Sequence, residues 1–156
     1  MNKIADAVRQ FQDGCACSQA VLSVYAESLG ISKQTALRIA SGFGGGMRMG
    51  ESCGALTGAF MAIGLRYAAD NCSIPEGRAE VCARVLEFAE RWRNRNGSIL
   101  CRELLGCDIS TPDGVKKAQE LNLFKTTCVK LVKDAVTILE DMETEKGKNA
   151  PEKGQS

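Results

Sequence analysis

The chain has 156 residues, of which 44% are apolar and 25% charged, and its formal net charge is +1. This length and composition predict a single domain with its own hydrophobic core, and the near-neutral charge gives no basic surface for DNA or RNA. Eight cysteines and no histidine exclude His-based catalytic triads, His-ligated zinc hydrolases and His-ligated haem.

Apolar residues recur at helical spacing in the first third of the chain. One stripe begins at Ile4 and ends at Gly14, and a second helix is predicted to end at Leu29 and Gly30. Ser32 is predicted to cap a third helix. Residues 41–50 contain five glycines, and this density predicts a loop.

Serine, threonine, proline and glycine mark the ends of the remaining predicted helices. A long helix follows Ser52 and reaches about Ala69, and Pro75 opens another helix that Gly97 ends. The last third of the chain contains a short helix, a helix with an N-cap and a proline, and a final long helix. The short helix begins at Cys101, with Ser98 as its predicted cap. The other two begin at Thr111–Pro112 and after Thr126 or Thr127.

These elements predict an all-α fold, a compact single-domain bundle of about six to eight helices with a glycine-rich loop. The helical domain is predicted to cover residues 1–142, and the polar residues 143–156 are predicted to form a disordered C-terminal tail. The first residues lack the apolar run of a secretory signal, and the most apolar stretch, Gly54 to Gly64, is shorter than the ~20 residues of a membrane span. A cytoplasmic protein without a membrane span is therefore expected.

Four cysteines, Cys17, Cys53, Cys101 and Cys128, fall where predicted helices begin. Unpaired N–H groups at a helix start stabilise a nearby anion by ~0.3–1 kcal/mol, or about 0.2–0.7 pKa units. This is too little to make each thiol a thiolate at neutral pH. A metal, a nearby arginine or local backbone hydrogen bonds would have to supply the rest, and Arg48 in the glycine loop is one candidate. Arg102, which follows Cys101, is another candidate.

The segment after Cys53 has almost no side chains along one helix face, because Gly54, Gly58 and Ala62 recur every four residues. Close helix packing explains such a face, and so does an approach of the backbone to a cofactor or a disulfide partner. The glycine loop upstream has no following Lys-Ser/Thr and no preceding strand, which excludes a nucleotide P-loop.

Five blocks of sequence follow one another in a fixed order. They read GCACSQAVL from Gly14, SGFGGGM from Ser41, GESCGALTGA from Gly50, CRELLG from Cys101 and CVKLV from Cys128. Together these blocks resemble the C_GCAxxG_C_C family of redox-active proteins, and the resemblance extends from Gly14 to about Met142. Two departures are a cysteine at Cys15, where the family usually has another residue, and Val129, where a proline commonly follows the last cysteine.

The resemblance implies that Cys17, Cys53, Cys101 and Cys128 are the redox-active cysteines and the ligands of any metal centre. Gly54 and Gly58 correspond to the glycines of the central motif, and with Arg48 they are the predicted cofactor-binding residues. The family also resembles the non-haem part of split-Soret cytochromes c, which implies an iron–sulfur centre.

Several functions remain open at this point. A redox protein, either an oxidoreductase or an electron carrier, would use the four thiols as ligands of an iron–sulfur cluster or as a dithiol–disulfide couple. The spacing of the cysteines does not distinguish the cluster from the dithiol–disulfide couple. The sequence has no thioredoxin-like βαβ context that would support the couple. The alternatives are a non-enzymatic domain with a structural four-cysteine zinc site, and an accessory protein of a transporter, as the family's gene neighbourhoods suggest.

The redox partner and the oligomeric state, including a homodimer, are left open. The other cysteines, Cys72, Cys82 and Cys107, are predicted to be ordinary core or surface residues. Cys15 is either such a residue or a resolving thiol or spare ligand, because it lies two residues from Cys17.

Overall fold

The computed structural model describes residues 2–149. Within this range the chain contains eight α-helices and a short 3-10 helix at Glu27–Leu29, and it has no strand. The α-helices are α1 (Lys3–Gln12), α2 (Cys17–Ser23), α3 (Lys33–Ala40), α4 (Gly54–Tyr67), α5 (Pro75–Asn96), α6 (Cys101–Leu105), α7 (Pro112–Glu120) and α8 (Thr127–Asn149). The predicted all-α fold is confirmed.

Most of the predicted helix ends agree with the structure. The Ser32 hydroxyl accepts a hydrogen bond from the Thr35 N–H at 3.0 Å, and the Thr111 hydroxyl accepts one from the Gly114 N–H at 3.0 Å. Gly97 ends α5 in a positive-φ conformation that glycine adopts without strain. The local sequence therefore determines these boundaries.

Ser52 and Ser98 were expected to cap helices, and the structure corrects both assignments. The N-cap of α4 is Cys53 and that of α6 is Leu100. Ser52 instead forms an isolated antiparallel bridge with Leu100, and the Ser98 hydroxyl accepts a hydrogen bond from the Leu100 N–H at 3.0 Å. Helix α4 therefore begins at Gly54, one residue later than a Ser52 cap predicts, whereas α6 begins at Cys101 as predicted.

Helix α4 lies at the centre of the bundle and packs against α2, α5 and α8. Its contact with α2 is close because Gly58 has no side chain. A Cβ atom on Gly58 would lie 2.7 Å from the Ser18 carbonyl oxygen and 3.2 Å from the Val21 Cβ. Gly58, which was expected at the cofactor, therefore packs against the backbone of α2.

Helix α8 continues past the predicted domain end at Met142. Residues 143–149, which were assigned to a disordered tail, are helical as far as Asn149, whereas residues 150–156 of that tail lie outside the described residues. Ion pairs to neighbouring helices stabilise the extension. Arg66 pairs with Glu143, Arg91 pairs with Glu145, and Lys146 lies 4.4 Å from the centre of the Tyr67 ring. Composition alone does not show these contacts.

Over the part of the chain that the structure describes, no helix combines the length and the apolar character needed to cross a bilayer.

Helix α4 provides a matched pair of substitutions that tests its contact with α2. Gly58→Ala should lower the free energy of unfolding by about 1–3 kcal/mol, because the added methyl group overlaps the Ser18 backbone. Gly64→Ala in the same helix has nothing within 4 Å of the new methyl group. It should raise the stability by up to about 1 kcal/mol, because alanine is the better helix former.

Urea unfolding followed by circular dichroism measures both changes. Equal effects of the two substitutions would contradict the close contact at Gly58.

Candidate functional site

The four cysteines of the sequence motif line one cavity of about 380 Å³. Cys17 and Cys101 are the first residues of α2 and α6, Cys53 is the N-cap of α4, and Cys128 is the second residue of α8. Folding therefore brings together four helix starts that are far apart in the sequence. Cys53 and Cys101 are buried, and Cys17 and Cys128 are half-buried.

Two backbone hydrogen bonds hold Cys53 beside Cys101. The Cys53 N–H donates to the Ile99 carbonyl oxygen at 2.8 Å, and the Cys101 N–H donates to the Glu51 carbonyl oxygen at 2.6 Å. The Trp92 indole N–H fixes the same segment by donating to the Ser98 carbonyl oxygen at 2.8 Å. The starts of α4 and α6 are therefore held together by the backbone.

The position of Cys17 depends on two glycines. A Cβ atom on Gly54 would lie 2.4 Å from the Cys17 sulfur, and one on Gly44 would lie 2.6 Å from the Ala16 Cβ. The bare face of α4 at Gly54 therefore receives the Cys17 sulfur. Of the two explanations that the sequence left open for this bare face, the approach of the backbone to a sulfur applies at Gly54.

The Cys17 sulfur is the best stabilised anion in the cavity. A hydrogen bond from Cys53, assisted by backbone N–H groups of Gly45, Ser18 and Cys17 itself, lowers the pKa of Cys17 to about 6 in spite of its burial. The same hydrogen bond, together with burial and the negative charge on Cys17, raises the pKa of Cys53. The pair therefore shares one proton at neutral pH, with Cys17 as thiolate and Cys53 as thiol.

The other two cysteines of the motif stay protonated. Burial, followed by the negative charge on Cys17, raises the pKa of Cys101 to about 11 and that of Cys128 to about 12. At neutral pH the four cysteines thus comprise one thiolate and three thiols. Position at a helix start does not by itself decide which sulfur is ionised, because each of the four cysteines lies at the start of a helix.

The glycine-rich loop forms a left-handed turn beside the cavity. Gly45, Gly46, Met47 and Arg48 have φ values of 64°, 61°, 58° and 62°. This conformation costs a non-glycine residue about 1–2 kcal/mol, and Met47 and Arg48 both adopt it. The sequence predicted a loop here but gave no sign of its handedness.

Hydrogen bonds fix this turn in place. The Glu51 N–H donates to the Gly46 carbonyl oxygen at 3.1 Å, and Arg102 donates to the Gly50 carbonyl oxygen at 3.3 Å and to the Glu51 carboxylate at 2.8 Å. Arg102 thus supports the loop, whereas Arg48 lines the cavity. Of the two arginines considered in the sequence, only Arg48 reaches the site.

The remaining cysteines separate into two groups. Cys15 lines the cavity, and its thiol donates to the Gln10 side-chain oxygen at 3.7 Å. Cys107 is half-buried and does not line the cavity. Cys72 and Cys82 are exposed and lie together at a separate surface hollow beside α5.

Six larger apolar side chains also line the cavity, together with the polar Gln19. The apolar residues are Phe11, Leu105, Ile109, Val115, Phe124 and Leu131. Sequence reasoning did not assign them to the site, because such residues are indistinguishable from ordinary core residues in a helical pattern.

The arrangement of sulfurs bears on which metal group the site fits. Within residues 2–149, no three Cys, Asp or Glu side chains are placed to share one metal ion. The four motif cysteines nevertheless line one cavity, and thiolates are the ligands of both four-cysteine zinc sites and iron–sulfur clusters.

Comparison with known proteins agrees with the resemblance noted in the sequence. The family model described as "Putative redox-active protein (C_GCAxxG_C_C)" matches residues 15–142, which is most of the chain. No curated protein and no solved structure matches the chain.

Substitution of Cys53 tests the shared proton. Alkylation of Cys17 by iodoacetamide should reach half its maximal rate near pH 6, because only the thiolate reacts. Cys53→Ala removes the hydrogen-bond donor and should move this midpoint to higher pH, towards the ordinary thiol value. Cys53→Ser keeps a donor and should leave the midpoint close to that of the unchanged protein. Peptide-resolved mass spectrometry measures the rate at Cys17, and an unmoved midpoint in Cys53→Ala would refute the assignment.

Proposed function

Because the chain belongs to the C_GCAxxG_C_C family, we propose that it is a redox protein whose reactive group is the Cys17–Cys53 dithiol. The observation that supports the proposal is geometric: Cys17 and Cys53 line one cavity, and the Cys17 sulfur lies against Gly54, the residue that follows Cys53. At this distance Cys53 lowers the pKa of Cys17, and Cys17 raises the pKa of Cys53. A thiolate is the nucleophile of thiol–disulfide exchange, and a pKa near ambient pH suits that role.

The proposed reaction oxidises the dithiol and reduces a disulfide substrate. The Cys17 thiolate attacks one substrate sulfur, a mixed disulfide forms, and the first substrate thiolate leaves. Cys53 then loses its proton and attacks the Cys17 sulfur, which closes the Cys17–Cys53 disulfide and releases the second substrate thiol. Two electrons pass from the protein to the substrate, and the Cys53 proton leaves with the products.

The two roles follow from the environments of the two sulfurs. Both cysteines line the cavity, and Cys17, the more exposed residue of the two, carries the charge, so we assign it the attack on the incoming disulfide. Cys53 is buried and stays protonated while Cys17 carries the charge. Once Cys17 is in a mixed disulfide its charge is gone, and the pKa of Cys53 falls accordingly.

An iron–sulfur cluster is the second candidate, and the lining of one cavity by four thiols supports it. Cys17, Cys53, Cys101 and Cys128 would hold the cluster, which would supply one-electron transfer. The backbone N–H groups that donate to Cys17 are of the kind that tune a cluster's potential. All four cysteines would have to be thiolates to bind the cluster. Because three of them are protonated at neutral pH, binding would release about three protons per protein.

Thiol titration after mild oxidation tests the dithiol. The oxidised protein should contain two fewer titratable thiols than the reduced protein, with Cys17 and Cys53 joined in peptide mapping. Cys53→Ser should lose this change, whereas Cys82→Ser, at an exposed position away from the cavity, should keep it. The same response in both variants would contradict the proposal.

Anaerobic purification separates the second candidate from the first. A cluster would give a brown protein that contains iron and sulfide, and Cys101→Ser should lose them while Cys82→Ser retains them. Iron and sulfide in the unchanged protein would therefore replace the dithiol proposal with the cluster.

A further inference from the structure

We infer that the cavity accepts a small disulfide that carries a carboxylate, with Arg48 binding the carboxylate while Cys17 attacks the sulfur. The inference rests on the proposed dithiol function and adds the chemical class of the substrate. It is carried by the charge, the size and the backbone geometry of the cavity, which are independent of the cysteine motif.

The first observation is the charge of the cavity wall. Among the described residues that line it, Arg48 is the only cationic one, and no aspartate or glutamate lines it. No carboxylate within residues 2–149 forms an ion pair with Arg48, whereas neighbouring Arg102 pairs with Glu51. Arg48 is exposed at the edge of the cavity, and an arginine there can bind an incoming carboxylate through two parallel N–H bonds.

The second observation is that the backbone is strained where it directs Arg48. Arg48 has a φ of 62°, and this left-handed conformation is unfavourable for a residue with a Cβ atom. The preceding Gly46 cannot carry a side chain, since a Cβ atom there would lie 2.4 Å from the Glu51 nitrogen. Strained non-glycine residues held by their surroundings are concentrated at functional sites.

The third observation is that Gly45 and Arg48 belong to the same short turn. A Cβ atom built on Gly45 would lie 3.9 Å from the Arg48 Cδ, so the arginine stem passes beside Gly45. The N–H of Gly45 donates to the Cys17 sulfur. One short segment therefore stabilises the nucleophile and carries the cation, and a small ligand can contact both.

The fourth observation is the size and character of the remaining wall. A cavity of about 380 Å³ lies in the range of ~300–1,000 Å³ that is typical of small-molecule sites. Phe11, Phe124 and Leu131 line it and suit a carbon chain. The matching ligand is a short carbon chain with a disulfide and a negatively charged end.

With such a substrate the proposed exchange balances. The Cys17 thiolate and the Cys53 thiol become one disulfide, and the substrate disulfide becomes one thiolate and one thiol. Arg48 takes part in no bond change, and its role is to hold the charged end and orient the sulfur.

Three small disulfides that differ in charge test the inference. They are dithiodipropionate, which is anionic, hydroxyethyl disulfide, which is neutral, and cystamine, which is cationic. The measured quantity is the second-order rate of Cys17–Cys53 disulfide formation in reduced full-length protein, divided by the rate of each compound with a free small thiol. The normalised rate with the anionic disulfide should exceed that with the neutral disulfide by about 3- to 10-fold, and the rate with the cationic disulfide should be the lowest.

Substitutions of Arg48 identify the source of this preference. Arg48→Gly keeps the left-handed backbone without strain and should abolish the preference, whereas Arg48→Lys should retain most of it. Arg38→Gln changes an exposed arginine that does not line the cavity and should leave the preference unchanged. High salt should weaken the preference, because it screens the charge.

Two results would overturn the inference and leave the dithiol function intact. They are equal normalised rates for all three disulfides, and a preference that persists in Arg48→Gly. A failure to react with any of the disulfides would overturn the inference and the dithiol function together. A change in the pKa of Cys17 shifts all three rates equally, so the ratio reports Arg48 alone.

Discussion

The sulfur of Cys17 lies against the backbone at Gly54, where a single added methyl group would be 2.4 Å from it. This contact lets the start of α2 meet the start of α4, and it brings Cys17 within hydrogen-bonding reach of Cys53. The same helices meet again at Gly58, where the Ser18 backbone occupies the space of a side chain. The site therefore depends on two glycines that give up some helix stability so that two backbones can approach closely.

Electrostatics then makes the four thiols different from one another. Four thiolates around one cavity would repel each other, and each would lose part of its solvation. Cys17 takes the charge because Cys53 and three backbone N–H groups donate to it, and its charge helps to keep Cys101 and Cys128 protonated. The geometry thus defines a nucleophile and a partner thiol before any substrate or metal is bound. A cluster would require this pattern to be replaced by four thiolates.

The sequence was most informative where local backbone chemistry decides the structure. Ser32, Thr111, Pro75 and Gly97 mark helix ends because caps and turns depend on only a few neighbouring residues. The predicted cysteines at helix starts agree with the structure to within one residue. Long-range contacts decided the cases in which the expectation was wrong. Ser52 pairs with Leu100 instead of capping α4, and ion pairs with α4 and α5 keep α8 helical beyond Met142.

By itself, the sequence determined an all-α chain, the glycine-rich loop and the set of cysteines on which the site is built, since periodicity, composition and motif order are local properties. Only the tertiary structure decided that Cys17 is the thiolate, that Gly54 accommodates its sulfur and Gly58 the Ser18 backbone, and that Arg48, not Arg102, faces the cavity. The physical reason is that a pKa and a side-chain direction depend on neighbours from distant segments. Four helix starts, a strained turn and an apolar wall become neighbours only when the chain has folded.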